Sequence, residues 1–124
     1  MRNAQGAILL QLRDDISTIA DPGCWAVPGG GQEPGESYEA AARREMFEET
    51  GYVVGDLTLV YERDLARGNG RVEHQVFFVT DYDGVQPLAC HEGQAIDFKS
   101  LAEACSLELT PDLGAVLQRV LARG

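Results

Sequence analysis

The sequence predicts an α/β protein in which a mixed β-sheet lies between helices. Short apolar runs bounded by turn residues alternate irregularly with two longer segments of helical character. A length of 124 residues and a hydrophobic content of 44% suit one domain with a real core. Residues 1–124 are expected to form that single domain, because the chain carries no repeat, low-complexity tract or linker.

The first element is Gly6 to Arg13, a short apolar run stopped by Asp14 and Asp15, which reads as a buried strand. A loop follows through Asp21, Pro22 and Gly23 to Pro28. Gly29, Gly30 and Gly31, with Pro34 and Gly35 close behind, mark a structured turn that permits close backbone approach. Ser37 is placed to cap a helix running to about Thr50, with Glu36 and Glu39 near its positive end and Gly51 as its stop. Leu57 to Leu65 and Arg71 to Thr80 read as two strands joined at Gly68, Asn69 and Gly70. Asp83 and Gly84 form a further turn, and Ala95 to Phe98 a short strand. Pro111 opens a final amphipathic helix that carries Leu113, Val116, Leu117, Val120 and Leu121.

Bulk properties exclude several classes of function. No run approaches the roughly 18 consecutive apolar residues of a membrane span, and the N-terminal residues lack the apolar core of a secretory signal. A cytoplasmic location follows, with no membrane partner. Cys24, Cys90 and Cys105 are odd in number and widely spaced, which argues for reduced, partly buried thiols rather than disulfides or a zinc site. A net charge of −10 disfavours a nucleic acid polymer as partner. It does not exclude a nucleotide, since a metal ion can offset negative charge on both protein and phosphate.

The acid excess is concentrated at Glu33, Glu36, Glu39, Glu45, Glu48 and Glu49. On a wheel of roughly 100° per residue, Glu45, Glu48 and Glu49 fall within one narrow arc, on the side of Tyr38, Ala41 and Ala42. A solvated acidic face should avoid the apolar stripe, whereas these carboxylates extend it. Like charges so close repel unless something neutralises them, and hard divalent cations prefer carboxylate oxygens. Arg44 alone offsets only part of the charge. This geometry by itself leaves two readings open, a metal site or an unpaired acidic surface.

A family resemblance favours the first. Gly30, Glu36, Arg44, Glu45, Met46, Glu48, Glu49, Gly51 and Tyr52 resemble the signature of the Nudix family of MutT-like pyrophosphohydrolases at every defined position. Tyr52 stands where an aliphatic residue is usual. The resemblance implies an α/β/α sandwich and hydrolysis of a nucleoside diphosphate linked to another moiety. It further implies that Glu45, Glu48 and Glu49 bind Mg²⁺ or Mn²⁺, with the carbonyl of Gly29 or Gly30 assisting. Arg44 would hold a box glutamate, and Glu36 would brace the loop or helix. The general base is not fixed in this family. Glu45 is one option, and Glu92, in the loop before the Ala95 strand, is another.

Outside the box, Arg13 is a candidate phosphate contact and Trp25 a candidate stacking surface for a base, while His74 and His91 have neither a nucleophile nor a metal-ligand spacing beside them. One departure concerns the sheet: the family commonly has a strand before the first one assigned here, and only five residues precede Gly6. Either the chain begins upstream or the edge is trimmed, and a homodimer would cover backbone groups left open there. A small nucleotide of the (d)NTP type is the first expectation for the substrate, ahead of nucleotide sugars and ADP-ribose. A non-catalytic nucleotide-binding module and a structural metal-binding protein are the alternatives. The intact set of Arg44, Glu45, Glu48 and Glu49 argues against both.

Overall fold

A computed structural model describes residues 1–111 and 113–121. Its elements in chain order are β1 (Ile8–Leu12), β2 (Trp25–Ala26), α1 (Tyr38–Thr50), β3 (Thr58–Ala66), β4 (Val72–Val79), β5 (Ala95–Lys99), α2 (Leu101–Cys105) and α3 (Leu113–Leu121). The strands form an antiparallel three-stranded sheet ordered β2-β1-β5 and an antiparallel hairpin, β3-β4.

β1 explains why the molecule is layered. Its side chains alternate between the two faces of the sheet, and both faces are covered. Leu9 joins Met46, Tyr52 and Val54 in a core beneath α1. Ile8 and Leu10 join Ala104, Leu113 and Leu117 in a second core beneath α2 and α3. A short run, apolar apart from Gln11, was therefore the right signature for this strand. The helices thus flank the sheets on opposite sides, the α/β/α arrangement that the signature implied.

α1 forms where its caps dictate. The Ser37 hydroxyl accepts from the amide of Ala40 at 3.0 Å, and Gly51 ends the helix in the left-handed region, its N–H bonded to the Phe47 carbonyl. Two short elements were not read from the sequence. β2 is only two residues long, and its pairing with Gln11 and Leu12 defines it. α2 has one turn and a half, too short for a period to show, although Ser100 and Glu103 form a reciprocal capping box at its start.

The mixed pairing expected of the sheet is reduced to single bridges. Arg2 bridges antiparallel to Ile8 and parallel to Asp81, and Trp25 bridges parallel to Leu109. The first of these also revises the expectation of an open edge. The amides of Leu9 and Asn3 donate to the carbonyls of Met1 and Ala7, and Arg2 exchanges backbone bonds with Thr80 and Tyr82. Residues 1–3 thus pair, within the chain, the backbone groups that a second copy was expected to cover. The thiols also differ from expectation: Cys24 is half-buried, but Cys90 and Cys105 are exposed. Among the described residues, no helix is long and apolar enough to cross a membrane.

Candidate active site

The glycine loop before α1 and the loop at residues 89–94 meet one face of α1 toward its C-terminal half. Glu45 and Glu49 lie one turn apart on the helix, and Glu49 is only 2% exposed. Its Oε2 accepts from the N–H of Gly29 at 3.1 Å, which ties the glycine turn to the helix. The Glu49 carboxyl is nevertheless pushed up to about 8. Burial is the main cause, followed by the charges of Glu92 and Glu45, and the Gly29 amide offsets them only in part. Glu92 is therefore near enough for Glu49 to feel its charge.

Arg44 organises the exposed half of the cluster. Its Nε and one terminal nitrogen form a fork on Glu36, at 2.8 and 2.9 Å. The other terminal nitrogen donates to Glu45 at 2.9 Å and to Glu48 at 3.2 Å, and the carbonyl of Gly31 accepts at 2.9 Å. The paired Arg44 guanidinium holds the Glu36 carboxyl down to about 2, helped by the amide of Glu33. Glu36 thus braces the loop to the helix as a carboxylate. Glu33 and Gly31 were read only as part of the acid cluster and the glycine turn, not as partners of Arg44, and the spacing Glu33 to Glu36, a turn closed on the Glu36 side chain, was the available signal.

Gly30 sits against this cluster for a steric reason. A Cβ built there would lie 2.6 Å from the Glu45 carboxyl carbon and one of its oxygens. Gly30→Ala is expected to displace the Glu45 carboxylate from Arg44 while leaving the fold intact, because the obstructed atoms end a flexible side chain. The result should be a melting temperature near that of the wild type with hydrolysis reduced about tenfold or more, by analogy with other small displacements of reacting groups. Unchanged turnover would show that the close approach has no functional weight.

The donor set suits a hard divalent cation. It consists of carboxylates crowded on one helix face, with a buried member whose ionisation is opposed by its acidic neighbours and favoured by added positive charge. Among the described residues, no three His, Cys, Asp or Glu side chains enclose a cation as they stand. Glu45 and Glu48 are instead turned to Arg44, so a cation would compete with the guanidinium for them. Gly29 contributes an N–H donor to Glu49 and the Gly31 carbonyl accepts from Arg44, so the turn is tied to the cluster at both ends.

The remaining candidates fall into two groups. Glu92 comes to the site, and its carboxylate has no hydrogen bond or ion pair among the described residues. Arg13 lines a cavity of about 680 Å³ that the glycine turn borders, together with Tyr38, Ala41, Phe77 and Thr110. Its guanidinium Nε donates to the Ala20 carbonyl at 2.8 Å. Trp25 does not line that cavity. It packs into the core under α2 and α3, with the Lys99 ammonium 5.4 Å from the ring centre. His74 is exposed and bonded to Asp64 and Glu62, whose carboxylates push its pKa up. His91 lies in the loop, with Nδ1 3.3 Å from the Glu48 carbonyl.

Comparison with known proteins agrees with this arrangement. The NUDIX domain family matches residues 1–121. A CTP pyrophosphohydrolase of Escherichia coli K12 is 37% identical over 109 residues, covering 86% of this chain and 76% of that protein. An asymmetrical bis(5'-nucleosyl)-tetraphosphatase of Sus scrofa is 37% identical over 100 residues, covering 76% of this chain and 67% of that protein. The solution structure of the E. coli ORF135 protein superposes with a TM-score of 0.78 at 28% identity, over 98% of this chain and 84% of that one. With the signature helix, its glycine turn and the surrounding fold all matched, the chain belongs to the Nudix family and is a Nudix pyrophosphohydrolase.

Proposed function

We propose that the protein hydrolyses the pyrophosphate bond of a small nucleotide of the (d)NTP type, in the cytoplasm and as a single domain. Glu45, Glu48 and Glu49 would hold Mg²⁺ or Mn²⁺, aided by a carbonyl of Gly29 or Gly30. The observation that carries this reading is the Glu49 carboxylate, 2% exposed, tied to the Gly29 amide at 3.1 Å and one helical turn from Glu45, with burial and its acidic neighbours opposing its ionisation. A group so crowded is poised to exchange its proton for a cation.

The division of labour follows from the contacts. A bound divalent cation supplies neutralisation of the diphosphate and acidification of water. Arg44 and Glu36 keep the box carboxylates in register with the glycine turn. Glu92 is assigned as the proton acceptor, because Glu45 is engaged by Arg44 while the Glu92 carboxylate is free among the described residues. Water attacks phosphorus, its proton passes to Glu92, and the anhydride P–O bond breaks. The nucleoside would occupy the cavity beside the glycine turn, whose volume of about 680 Å³ falls in the roughly 300–1,000 Å³ range of small-molecule sites. Arg13 at its wall is a candidate phosphate contact only if it releases the Ala20 carbonyl. Trp25, half-buried against the core under α2 and α3, does not line that cavity and is not a favoured base platform.

A substrate panel with product analysis tests the reading. CTP, the other nucleoside triphosphates and their deoxy forms should be cleaved with Mg²⁺, and the products identify the phosphorus attacked. Preference for a dinucleoside polyphosphate would favour the activity named for the pig relative. Nucleotide binding without cleavage, across several metals and substrates, would instead identify a binding module.

A further inference from the structure

Gln11 is a polar residue inside an apolar strand, and it is only 4% exposed. By the two-residue period of β1 it shares the α1-facing side with Leu9. Its side-chain Nε2 donates to the backbone carbonyl of Glu92 at 2.9 Å, across 81 positions of sequence. We propose that Gln11 is a positioning residue that fixes the Glu92 carboxylate at the active site, an inference that rests on the assignment of Glu92 above.

The loop is held from both sides, and Gln11 is one of two side-chain anchors between it and β1, the other being Gln94. Toward α1, the amides of Ala89 and His91 donate to the carbonyls of Thr50 and Glu49, at 3.0 and 2.9 Å. Toward β1, the Gln94 amide donates to the Leu12 carbonyl at 2.8 Å and the Gln94 side chain to that of Arg13 at 2.9 Å. Between them Gly93 lies pressed on β1: its φ is +83°, and a Cβ there would stand 2.6 Å from the Leu12 carbonyl oxygen. The loop backbone at 91 and 94 is therefore anchored without Gln11. What Gln11 adds is a donor on the one peptide carbonyl between those anchors that belongs to Glu92 itself.

That bond holds the peptide joining Glu92 to Gly93 against β1, and with it the Cα from which the Glu92 side chain starts. The Cys90 thiol, a weak donor, lies 3.3 Å from the same oxygen, so loss of Gln11 leaves the Glu92 carbonyl held by that contact alone and free to shift off β1. Displacing a reacting group by even about 1 Å can lower a rate on the order of a hundredfold, whereas substrate affinity need not change.

Gln11→Leu tests this, with Gln11→Met as a second apolar replacement should leucine unfold the protein. The readouts are kcat and KM for the best nucleotide of the panel with Mg²⁺, and amide hydrogen exchange of the metal-free protein. The expected result is a kcat lower by about ten- to a hundredfold with KM within about twofold. Exchange should quicken in residues 91–94 and stay unchanged in α1 and the β1-β5 ladder. In a Glu92→Gln background, Gln11→Leu should cause no further loss. Wild-type kcat in Gln11→Leu, or losses that multiply in the double variant, would overturn the proposal. If Glu92→Gln alone keeps the wild-type rate, the assignment of Glu92 fails first and the proposal with it. The exchange data would then still report whether Gln11 orders the loop.

Discussion

Glu49→Gln is expected to abolish nucleotide hydrolysis by orders of magnitude and, at the same time, to make the metal-free protein more stable at pH 8. The first effect follows from losing a charged oxygen ligand at the centre of the cluster, since a neutral amide binds a hard cation poorly. The second follows from linkage. Glu49 rises from its ordinary value of 4.5 to about 8 in the folded chain, chiefly through burial and then through Glu92 and Glu45. Between those values the folded state holds a proton that the unfolded chain has released. Stability is therefore highest below the ordinary glutamate range and is lost as pH rises toward 8. Glutamine carries no charge to bury, and its side-chain oxygen can still accept from the Gly29 amide as Glu49 does. Melting curves of metal-free protein should fall with pH between about 5 and 8 for the wild type and stay flatter for the variant. Adding Mg²⁺ should raise the wild-type melting temperature and leave that of Glu49→Gln almost unmoved. A variant as pH-sensitive as the wild type would show that Glu49 is not the group under strain.

Arg44→Lys should lose most of the activity although it keeps the charge. One guanidinium here serves five acceptor oxygens in fixed directions: both oxygens of Glu36, one of Glu45, one of Glu48 and the Gly31 carbonyl oxygen belong to the same fork. A lysine ammonium is a point charge with no planar fork and cannot hold Glu36 bidentately while reaching Glu45. The glycine turn and the helix would then lose their common register, and turnover should fall about tenfold to a hundredfold, the cost of a small misplacement of reacting groups. Arg44→Ala should fall further and also melt lower, because it leaves Glu36, Glu45 and Glu48 to repel one another without a counter-charge. Paired kinetics and melting curves of the two variants check this. Equal, wild-type-like rates would reduce Arg44 to a surface ion pair.

What the sequence revealed depended on how local the cause was. α1 could be placed almost to the residue, because Ser37 and Gly51 act on their own backbone neighbours. β1 was recognised because burial on both faces leaves a run that is apolar at every position but Gln11. β2 could not be, since a pairing with residues far along the chain defines it. Glu45, Glu48 and Glu49 were visible as one arc of a helix, but the burial of Glu49 was not, because it depends on the glycine turn and on a loop some forty residues later. Trp25 shows the opposite error: a lone tryptophan near a glycine turn invites a stacking role, and its ring instead packs beneath α2 and α3. The edge of the sheet was misjudged because three residues, too few to show a pattern, suffice to pair it.

The central claim is that the crowded carboxylates of α1 bind a divalent cation and that hydrolysis depends on it. Mn²⁺ binding and nucleotide turnover, measured on the same samples of wild type, Glu48→Gln and Glu49→Gln, test it most directly. The wild type should bind Mn²⁺ and lose turnover when a chelator removes it, and both variants should lose binding and turnover together. Wild-type-like turnover in either variant, or turnover that survives the chelator, would contradict the claim.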